Sequence, residues 1–351
     1  MNFFQPRSAN TSAPNKKLQE IEASRPWIEK YRPKSMDEIA SQEQAVVVLK
    51  HALQSENLPH LLFYGPPGTG KTSTILALAR ELYGPSLLKT RVLELNASDD
   101  RGIQVVREKV KNFSRTTANQ KVSGYPCPPY KIVVLDEADS MTKDAQSALR
   151  RTMETYSKTT RFCIICNYVS RIIDPITSRC AKFRFKSLPV EDLQARIDMI
   201  CKEENVKLAP GAMEALFAAC NGDLRRAIMI LQIASNIPQG ECITADVINE
   251  TAGSVPESVT MTIVDAWKSN NHKQIENAVE AIMLQGYSAE FVLNQLHEHI
   301  VRSDDLNTLQ KSQISEIMGE TDFTLVSGAD QHLQLLSLVL KIASIANNQE
   351  L

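Results

Sequence analysis

The stretch that decides the fold is Leu61-Leu62-Phe63-Tyr64-Gly65-Pro66-Pro67-Gly68-Thr69-Gly70-Lys71-Thr72. Four apolar residues typical of a buried strand lead into Gly-x-x-x-x-Gly-Lys-Thr, and residues 73–82 have the character of a helix. Glycines let the backbone approach an anion closely, and successive N–H groups at the start of a helix then face that anion. The order of strand, loop and helix therefore predicts a phosphate-binding loop for a nucleoside triphosphate. Lys71 is expected to reach the β- and γ-phosphates, and the Thr72 hydroxyl to help hold Mg²⁺.

Strand and helix signals alternate through the first half of the chain. Strands are predicted at 61–64, 91–95, 131–136, 161–166 and 182–185, and helices at 43–55, 73–82, 102–115 and 142–154. This alternation indicates an α/β domain with a parallel sheet and helices on both of its faces.

Strand signals disappear beyond Leu188. Three helices are predicted at 191–204, 210–220 and 223–235, and five more near 257–268, 273–285, 288–302, 307–318 and 329–346. We therefore expect four parts, which are a disordered leader at 1–25, a nucleotide-binding domain at 26–188, a helical lid at 189–252 and an all-helical module at 253–351.

Composition sets the broad class of protein. The 351 residues are too many for one compact core, and the net charge of −2 argues against a protein that coats nucleic acid with its whole surface. No run approaches 18 apolar residues, so no membrane segment is expected. The seven scattered cysteines are typical of a reducing compartment, and Cys163 and Cys166 are interpreted as core thiols rather than metal ligands.

A second chemical motif follows the strand predicted at 131–136. An apolar run ends in Asp136 and Glu137, which predicts a carboxylate that orients Mg²⁺ through water and a general base that polarises the attacking water. Asp139 is interpreted as a cap of the next helix. The next strand ends at Asn167, whose neutral amide is suited to hydrogen-bond a γ-phosphate and the lytic water.

Several blocks together carry a resemblance to a known family. Besides the motifs already described, these blocks are 26–33 (PWIEKYRP), 96–103 (NASDDRGI), 178–180 (SRC) and 222–226 (GDLRR). With them, the chain resembles AAA+ ATPases and, among these, the small subunits of replication factor C, the eukaryotic sliding-clamp loader. The resemblance runs from about Pro26 to the C-terminus, and no motif position departs from it.

The resemblance implies roles for individual residues. Ile28 would meet adenine through backbone atoms with Arg32 nearby, and Arg225 would be the lid's sensor of the γ-phosphate. Arg179 is similar to the arginine finger that acts on ATP bound by the neighbouring subunit, although a structural salt bridge is the alternative for it. The nucleotide-binding set expected in full is Ile28, Arg32, Gly65, Pro66, Pro67, Gly68, Thr69, Gly70, Lys71, Thr72, Ser73, Asn167 and Arg225.

The resemblance also implies partners and a location. ATP and Mg²⁺ would be the cofactors, and the module at 253–351 would be the collar that joins this chain to the other replication factor C subunits in a heteropentamer. Further partners would be the PCNA sliding clamp, primer–template DNA and the alternative large subunits of checkpoint-type loaders. The location would be the nucleus, and the processes DNA replication and repair.

Two basic clusters lie on predicted helices. Arg107, Lys111 and Arg115 recur every four residues and form one stripe, with Arg101 just before them. The second cluster contains Lys143, Arg150, Arg151 and Lys158. A charge stripe is by default only a solvated helix face, but the resemblance implies that both helices follow the phosphate backbone of a DNA duplex.

Some alternatives stay open on the sequence alone. Arg150 and Arg151 are expected either to adjust Glu137 upon contact with DNA or to reach the neighbouring subunit's nucleotide. Other classes of protein are a scaffold with structural ATP and an ATPase that acts on proteins. An independent monomeric enzyme fits least, because Arg179 then has no use in its own site.

Overall fold

The computed structural model describes residues 25–39, 42–54, 58–97, 103–116, 120, 122–220, 222–237, 242–253, 255–269 and 271–347. Of the leader predicted at 1–25, only residue 25 lies within these ranges. The chain forms two compact units: unit 1 comprises 1–207 and 220–242, and unit 2 comprises 208–219 and 243–351. The boundaries expected between nucleotide domain, lid and C-terminal module stay predictions.

Unit 1 contains a five-stranded parallel sheet in the order β2-β3-β4-β1-β5. The strands are β1 (His60–Tyr64), β2 (Val92–Asn96), β3 (Lys131–Asp136), β4 (Thr160–Cys166) and β5 (Cys180–Arg184). Every predicted strand is confirmed to within two residues. The central strands are buried on both faces, since Phe63 belongs to one apolar core and Leu62 to the other. This two-sided burial explains why they appear in the sequence as continuous apolar runs.

The helices of unit 1 belong either to the domain that contains this sheet or to the predicted lid. They are α1 (Trp27–Lys30), α2 (Glu43–Gln54), α3 (Lys71–Arg91), α4 (Ile103–Arg115), α5 (Lys143–Thr155), α6 (Asp174–Thr177), α7 (Val190–Glu203) and α9 (Leu224–Ser235), of which α7 and α9 belong to the predicted lid. Helix α3 continues beyond the predicted end at residue 82. Gly84 bends it with φ +69°, and the helix resumes at Pro85, so the Gly-Pro pair marks a kink rather than an end. A Cβ on Gly84 would lie 2.8 Å from the Tyr125 ring, which is why the kink requires glycine.

Unit 2 is built from helices, and its residues from Val255 to Ala343 provide one apolar core. They are α8 (Ala212–Cys220), whose last residue belongs to unit 1, α10 (Ala245–Ala252), α11 (Glu257–Lys268), α12 (His272–Leu284), α13 (Ala289–Arg302), α14 (Thr308–Val326) and α15 (Gln331–Ala346). The prediction of only three helices across 190–252 was wrong, because α10 is a fourth. Helix α14 also runs past its predicted end at residue 318, since Gly319 lies within the helix with ordinary backbone angles.

Two expectations from composition can be compared with the fold. No helix in the described ranges is long and apolar enough to cross a membrane. Cys163 and Cys166 are buried with free thiols in β4, and the described residues contain no His, Cys, Asp and Glu cluster that would hold a metal ion. The interpretation of the two cysteines as core thiols is confirmed.

Candidate nucleotide and catalytic site

The loop between β1 and α3 follows a path that only glycine allows. Gly68 and Gly70 have φ values of +71° and +88°. A Cβ on Gly65 would lie 2.1 Å from the carbonyl oxygen of Phe185, and a Cβ on Gly68 would lie 1.8 Å from Oδ1 of Asp223. The loop is therefore enclosed between the end of β5 and the start of the lid helix α9, with its backbone N–H groups at the N-terminus of α3.

Lys71 is buried behind this loop. Its Nζ donates to the carbonyl oxygens of Gly65 and Pro66, both at 2.7 Å, and to Oδ1 of Asn167 at 3.0 Å. Burial lowers the pKa of Lys71, and nearby Asp136 partly opposes that shift. All three of these hydrogen-bond acceptors are neutral, so an anion placed in the loop would relieve the cost of the buried charge.

The carboxyl end of β3 brings two further predicted residues together. Thr72 Oγ1 donates to Oδ2 of Asp136 at 2.7 Å, and the backbone N–H of Glu137 donates to Oδ1 of the same carboxylate at 2.9 Å. Glu137 is exposed and has left-handed backbone angles, φ +53° and ψ +37°. Such angles are unfavourable for a glutamate, and strain of this kind is concentrated at functional sites.

The prediction for Asp139 was wrong. Thr142, not Asp139, caps α5, because its side chain accepts from the N–H of Ala145. Asp139 Oδ2 instead accepts from the backbone N–H groups of Asn167 at 3.2 Å and Tyr168 at 3.3 Å. The physical reason is topological: β3 and β4 are parallel neighbours, so their carboxyl ends meet at one edge of the sheet.

An open pocket lies beside the phosphate-binding loop, within unit 1. The predicted residues that line it are Ile28, Arg32, Gly68, Thr69, Gly70, Ser73 and Arg225. Gly65, Pro66, Pro67 and Asn167 line a different cavity, together with Arg184 and Lys186. The residues that sequence reasoning missed are Tyr31, Pro33, Glu38, Ile39, Leu188, Arg196, Leu224 and Ile228. They come from segments far apart in the chain, from Tyr31 to Ile228, so no local pattern brings them together.

The segment that carries Ile28 is attached to the lid. Tyr31 donates its hydroxyl to Glu204 at 2.7 Å, and Lys30 pairs with the same carboxylate at 2.6 Å. Arg196 of α7 donates to the carbonyl oxygen of Tyr31 at 2.5 Å. Burial and the Glu204 hydrogen bond raise the pKa of Tyr31, so its hydroxyl stays protonated and acts as a donor. These bonds form one wall of the pocket.

Arg179 lies at the surface between α6 and β5. Its Nη2 is 2.8 Å from Glu154 Oε1, and its Nη1 donates to the carbonyl oxygen of Pro175 at 2.7 Å. Arg150 donates from Nε to the same glutamate oxygen at 3.0 Å. Sequence reasoning missed Glu154, and its position four residues after Arg150 on one helix was the available signal.

The two basic helices contact each other. On α4, Lys111 and Arg115 are exposed, whereas Val110 is buried and Phe113 is partly buried against the core, as an amphipathic helix requires. Arg101 lies outside the described residues, and of Arg107 only the backbone is described. On and after α5, the exposed cations are Lys143, Arg151 and Lys158, and Arg150 is partly exposed.

Comparison with known proteins agrees with this geometry. Residues 61–188 match the family model "ATPase family associated with various cellular activities (AAA)", and residues 195–235 match an AAA+ ATPase lid domain of the RCF1/5-like type. Residues 255–341 match the replication factor C C-terminal domain. Replication factor C subunit 2 of Saccharomyces cerevisiae is 55% identical over 92% of this chain and 94% of its own. The Schizosaccharomyces pombe subunit 2 is 51% identical over 98% and 100%, and the Homo sapiens subunit 4 is 54% identical over 94% and 90%.

Proposed function

The chain belongs to the replication factor C subunits, a family of AAA+ ATPases, and replication factor C loads the PCNA clamp in DNA replication. We propose that this chain binds and hydrolyses ATP as a small subunit of the heteropentameric loader. The blocks 125–131 (YPCPPYK) and 146–154 (QSALRRTME) indicate the subunit 2 type. Hydrolysis would be coupled to opening the clamp and releasing it on primer–template DNA.

The observation that carries the proposal is the meeting of four side chains at one edge of the sheet. Lys71 contacts Asn167, and Thr72 contacts Asp136, with donor–acceptor distances of 3.0 and 2.7 Å. The Thr72 hydroxyl and the Asp136 carboxylate are hard oxygen donors side by side, which is the donor set that Mg²⁺ prefers. These two residues would hold Mg²⁺, which neutralises the charge of the phosphate oxygens when it is bound.

The remaining steps fall to the side chains around that edge. Glu137 would accept the proton of the attacking water, and Asn167 would hold that water and the γ-phosphate without competing for the metal. Lys71 would exchange its neutral acceptors for phosphate oxygens. Arg225, at the start of α9, would sense the γ-phosphate from the lid. Adenine would lie at Ile28, with Arg32 nearby.

Arg179 would complete the site of the neighbouring subunit. A guanidinium is always charged, its planar fork matches phosphate oxygens, and a finger supplied in trans is worth about 10³–10⁵ in rate. Its exposure supports a role towards another subunit. The helical module at 253–351 would be the collar, and loading PCNA would require a nuclear location.

DNA would be held on the two basic helices through its phosphates. The residues proposed for these contacts are Arg101, Arg107, Lys111, Arg115, Lys143, Arg150 and Arg151. Contacts of this kind give weak sequence preference and strong dependence on salt.

The decisive experiment is steady-state ATP hydrolysis by the co-expressed complex, with and without clamp and primed DNA. We expect clamp and DNA to stimulate turnover, and Arg179→Ala to lose most of that stimulation while ATP still binds. Turnover that does not respond to DNA, clamp or the substitution would instead indicate a nucleotide-bound scaffold.

A further inference from the structure

One glutamate joins the arginine proposed as the finger to the second basic helix. Glu154 lies in the last turn of α5, and its Oε1 accepts from Arg179 at 2.8 Å and from Arg150 at 3.0 Å. We propose that Glu154 is a positioning residue that holds the Arg179 guanidinium ready for the ATP of the neighbouring subunit. The proposal rests on the proposed function, in which Arg179 acts in trans.

The geometry leaves Arg179 able to bind phosphate while it is held. A guanidinium carries five N–H groups. Glu154 engages Nη2 and the carbonyl oxygen of Pro175 engages Nη1. The other three N–H groups have no hydrogen bond to the described residues and remain for phosphate oxygens. Two anchors, one on each Nη nitrogen, restrict the orientation of the fork more than a single anchor would.

Stability does not explain the cluster. The side chains of Arg150, Glu154 and Arg179 are 41%, 40% and 39% exposed, and ion pairs this exposed contribute little to folding. The hydrogen bond from Arg150, followed by that residue's charge and the charge of Arg179, lowers the pKa of Glu154, so the carboxylate stays ionised at neutral pH. What the cluster does provide is order in a long side chain that otherwise samples many rotamers.

Glu154 also keeps two like charges together. Without its carboxylate, the guanidinium groups of Arg150 and Arg179 would face each other uncompensated and separate. A neutral amide at this position still accepts a hydrogen bond but does not offset the repulsion, so Arg179 would then be held mainly by the carbonyl oxygen of Pro175. Since misplacing a catalytic group by about 1 Å can cost on the order of 10²-fold, a partly disordered finger should cost on the order of tenfold.

The test uses the co-expressed complex with clamp and primed DNA, and compares wild type, Glu154→Gln, Arg179→Ala and the double variant. We expect Glu154→Gln to lower kcat about tenfold with KM for ATP unchanged, because the residue touches no nucleotide of its own chain. The double variant should be no slower than Arg179→Ala alone, since Glu154 acts only through Arg179. Glu298→Gln is the matched control, because it removes a glutamate from another exposed i,i+4 pair, with Arg302 at 3.7 Å; it should retain wild-type turnover.

Each other outcome overturns the proposal and says where it fails. Wild-type turnover in Glu154→Gln, or a loss that adds to that of Arg179→Ala, would show that Glu154 does not position the finger. A raised KM with unchanged kcat would assign Glu154 to nucleotide binding or assembly instead. If Arg179→Ala itself has no effect, the trans-acting role of Arg179 fails first, and the role of Glu154 fails with it.

Discussion

Asp139 and Asn167 are joined across the carboxyl edge of the sheet, where the Asp139 carboxylate accepts the backbone N–H of Asn167 at 3.2 Å. The bond fixes the main chain of the residue whose side-chain amide contacts Lys71. Asp139, the second acid after β3, thus sets the position of the residue proposed to hold the γ-phosphate.

Removing the Asp139 carboxylate should therefore slow turnover without abolishing ATP binding. Asp139→Ala leaves two N–H groups without their acceptor, and the displaced Asn167 should lower kcat on the order of 10–100-fold. Asp139→Asn keeps one carbonyl oxygen as an acceptor and should lose less. Steady-state kinetics of the complex measures both variants, and equal losses in the two would show that the hydrogen bond is not what matters.

Glu137 should trade stability against activity. It occupies left-handed backbone angles that cost a side chain about 1–2 kcal/mol, a cost that asparagine and glycine largely escape. Glu137→Gln, Glu137→Asn and Glu137→Gly should all lose about 10²–10⁴ in turnover, because each lacks the carboxylate proposed as the general base. Only the last two should unfold at a higher temperature than Glu137→Gln. Thermal unfolding of the purified variants tests this, and an identical Tm for all three would contradict it.

The sequence predicts best what is local. The continuous apolar runs of β1, β3 and β4 and the fixed spacing of the phosphate-binding loop were sufficient to predict the parallel sheet and the residues that meet at its carboxyl edge. The pairs that shape the site lie far apart in the chain, such as Asp139 with Asn167, Glu154 with Arg179 and Tyr31 with Glu204. A single carboxylate carries no pattern that names its partner, so these contacts appear only when the strands and helices are placed. The kink at Gly84 was missed for the same reason, since its cause is the distant Tyr125 ring.

Replacing Gly68 should disturb the start of the lid helix. Gly68→Ala brings a Cβ to 1.8 Å from Asp223 Oδ1 at a φ of +71°, so the N-cap of α9 must move. Asp223 accepts the N–H groups of Arg225 and Arg226, so its displacement would move the first turn of α9 away from the pocket. ATP affinity should then fall about tenfold or more. Equilibrium binding of a fluorescent ATP analogue measures the loss.

Gly319→Ala provides the control for that substitution. Gly319 lies inside α14 with no atom within 4 Å of an added Cβ. Alanine there should raise stability by about 1 kcal/mol and leave ATP affinity unchanged. An unchanged affinity in Gly68→Ala would show that the lid does not depend on this close approach.

His60 should make unit 1 sensitive to mild acid. Burial and the charge of Arg161 lower the pKa of His60 to about 4, and its Nδ1 accepts from the N–H of Phe162 at 3.1 Å. Because the folded pKa lies below the unfolded value of about 6.5, the unfolded chain binds more protons between these values, and stability falls as the pH falls through this window. Between pH 7 and pH 5 the loss should be about 1–2 kcal/mol.

The matched variant for this prediction is His60→Asn, whose amide oxygen preserves an acceptor for Phe162 but does not titrate. Urea unfolding at pH 7 and pH 5 should show a smaller change for the variant than for the wild type, even though its stability at pH 7 is lower through lost ring packing. Equal changes in both would mean that folding does not lower the pKa of His60.

The basic face of α4 makes a quantitative prediction about DNA. Lys111 and Arg115 are exposed one helical turn apart, while Val110 anchors the same helix in the core, so charge reversal should leave the fold intact. Each phosphate contact that is lost lowers the slope of log affinity against log salt by about 0.9 for duplex DNA. The variant Lys111→Glu/Arg115→Glu should therefore bind primed DNA more weakly and reduce the slope by about 2. Lys273→Glu, at an exposed position of α12 in unit 2, reverses one charge elsewhere in the protein; it is the control and should leave the slope as it is. If the double variant weakens binding but keeps the wild-type slope, these side chains do not contact phosphates, and the stripe is a solvated helix face.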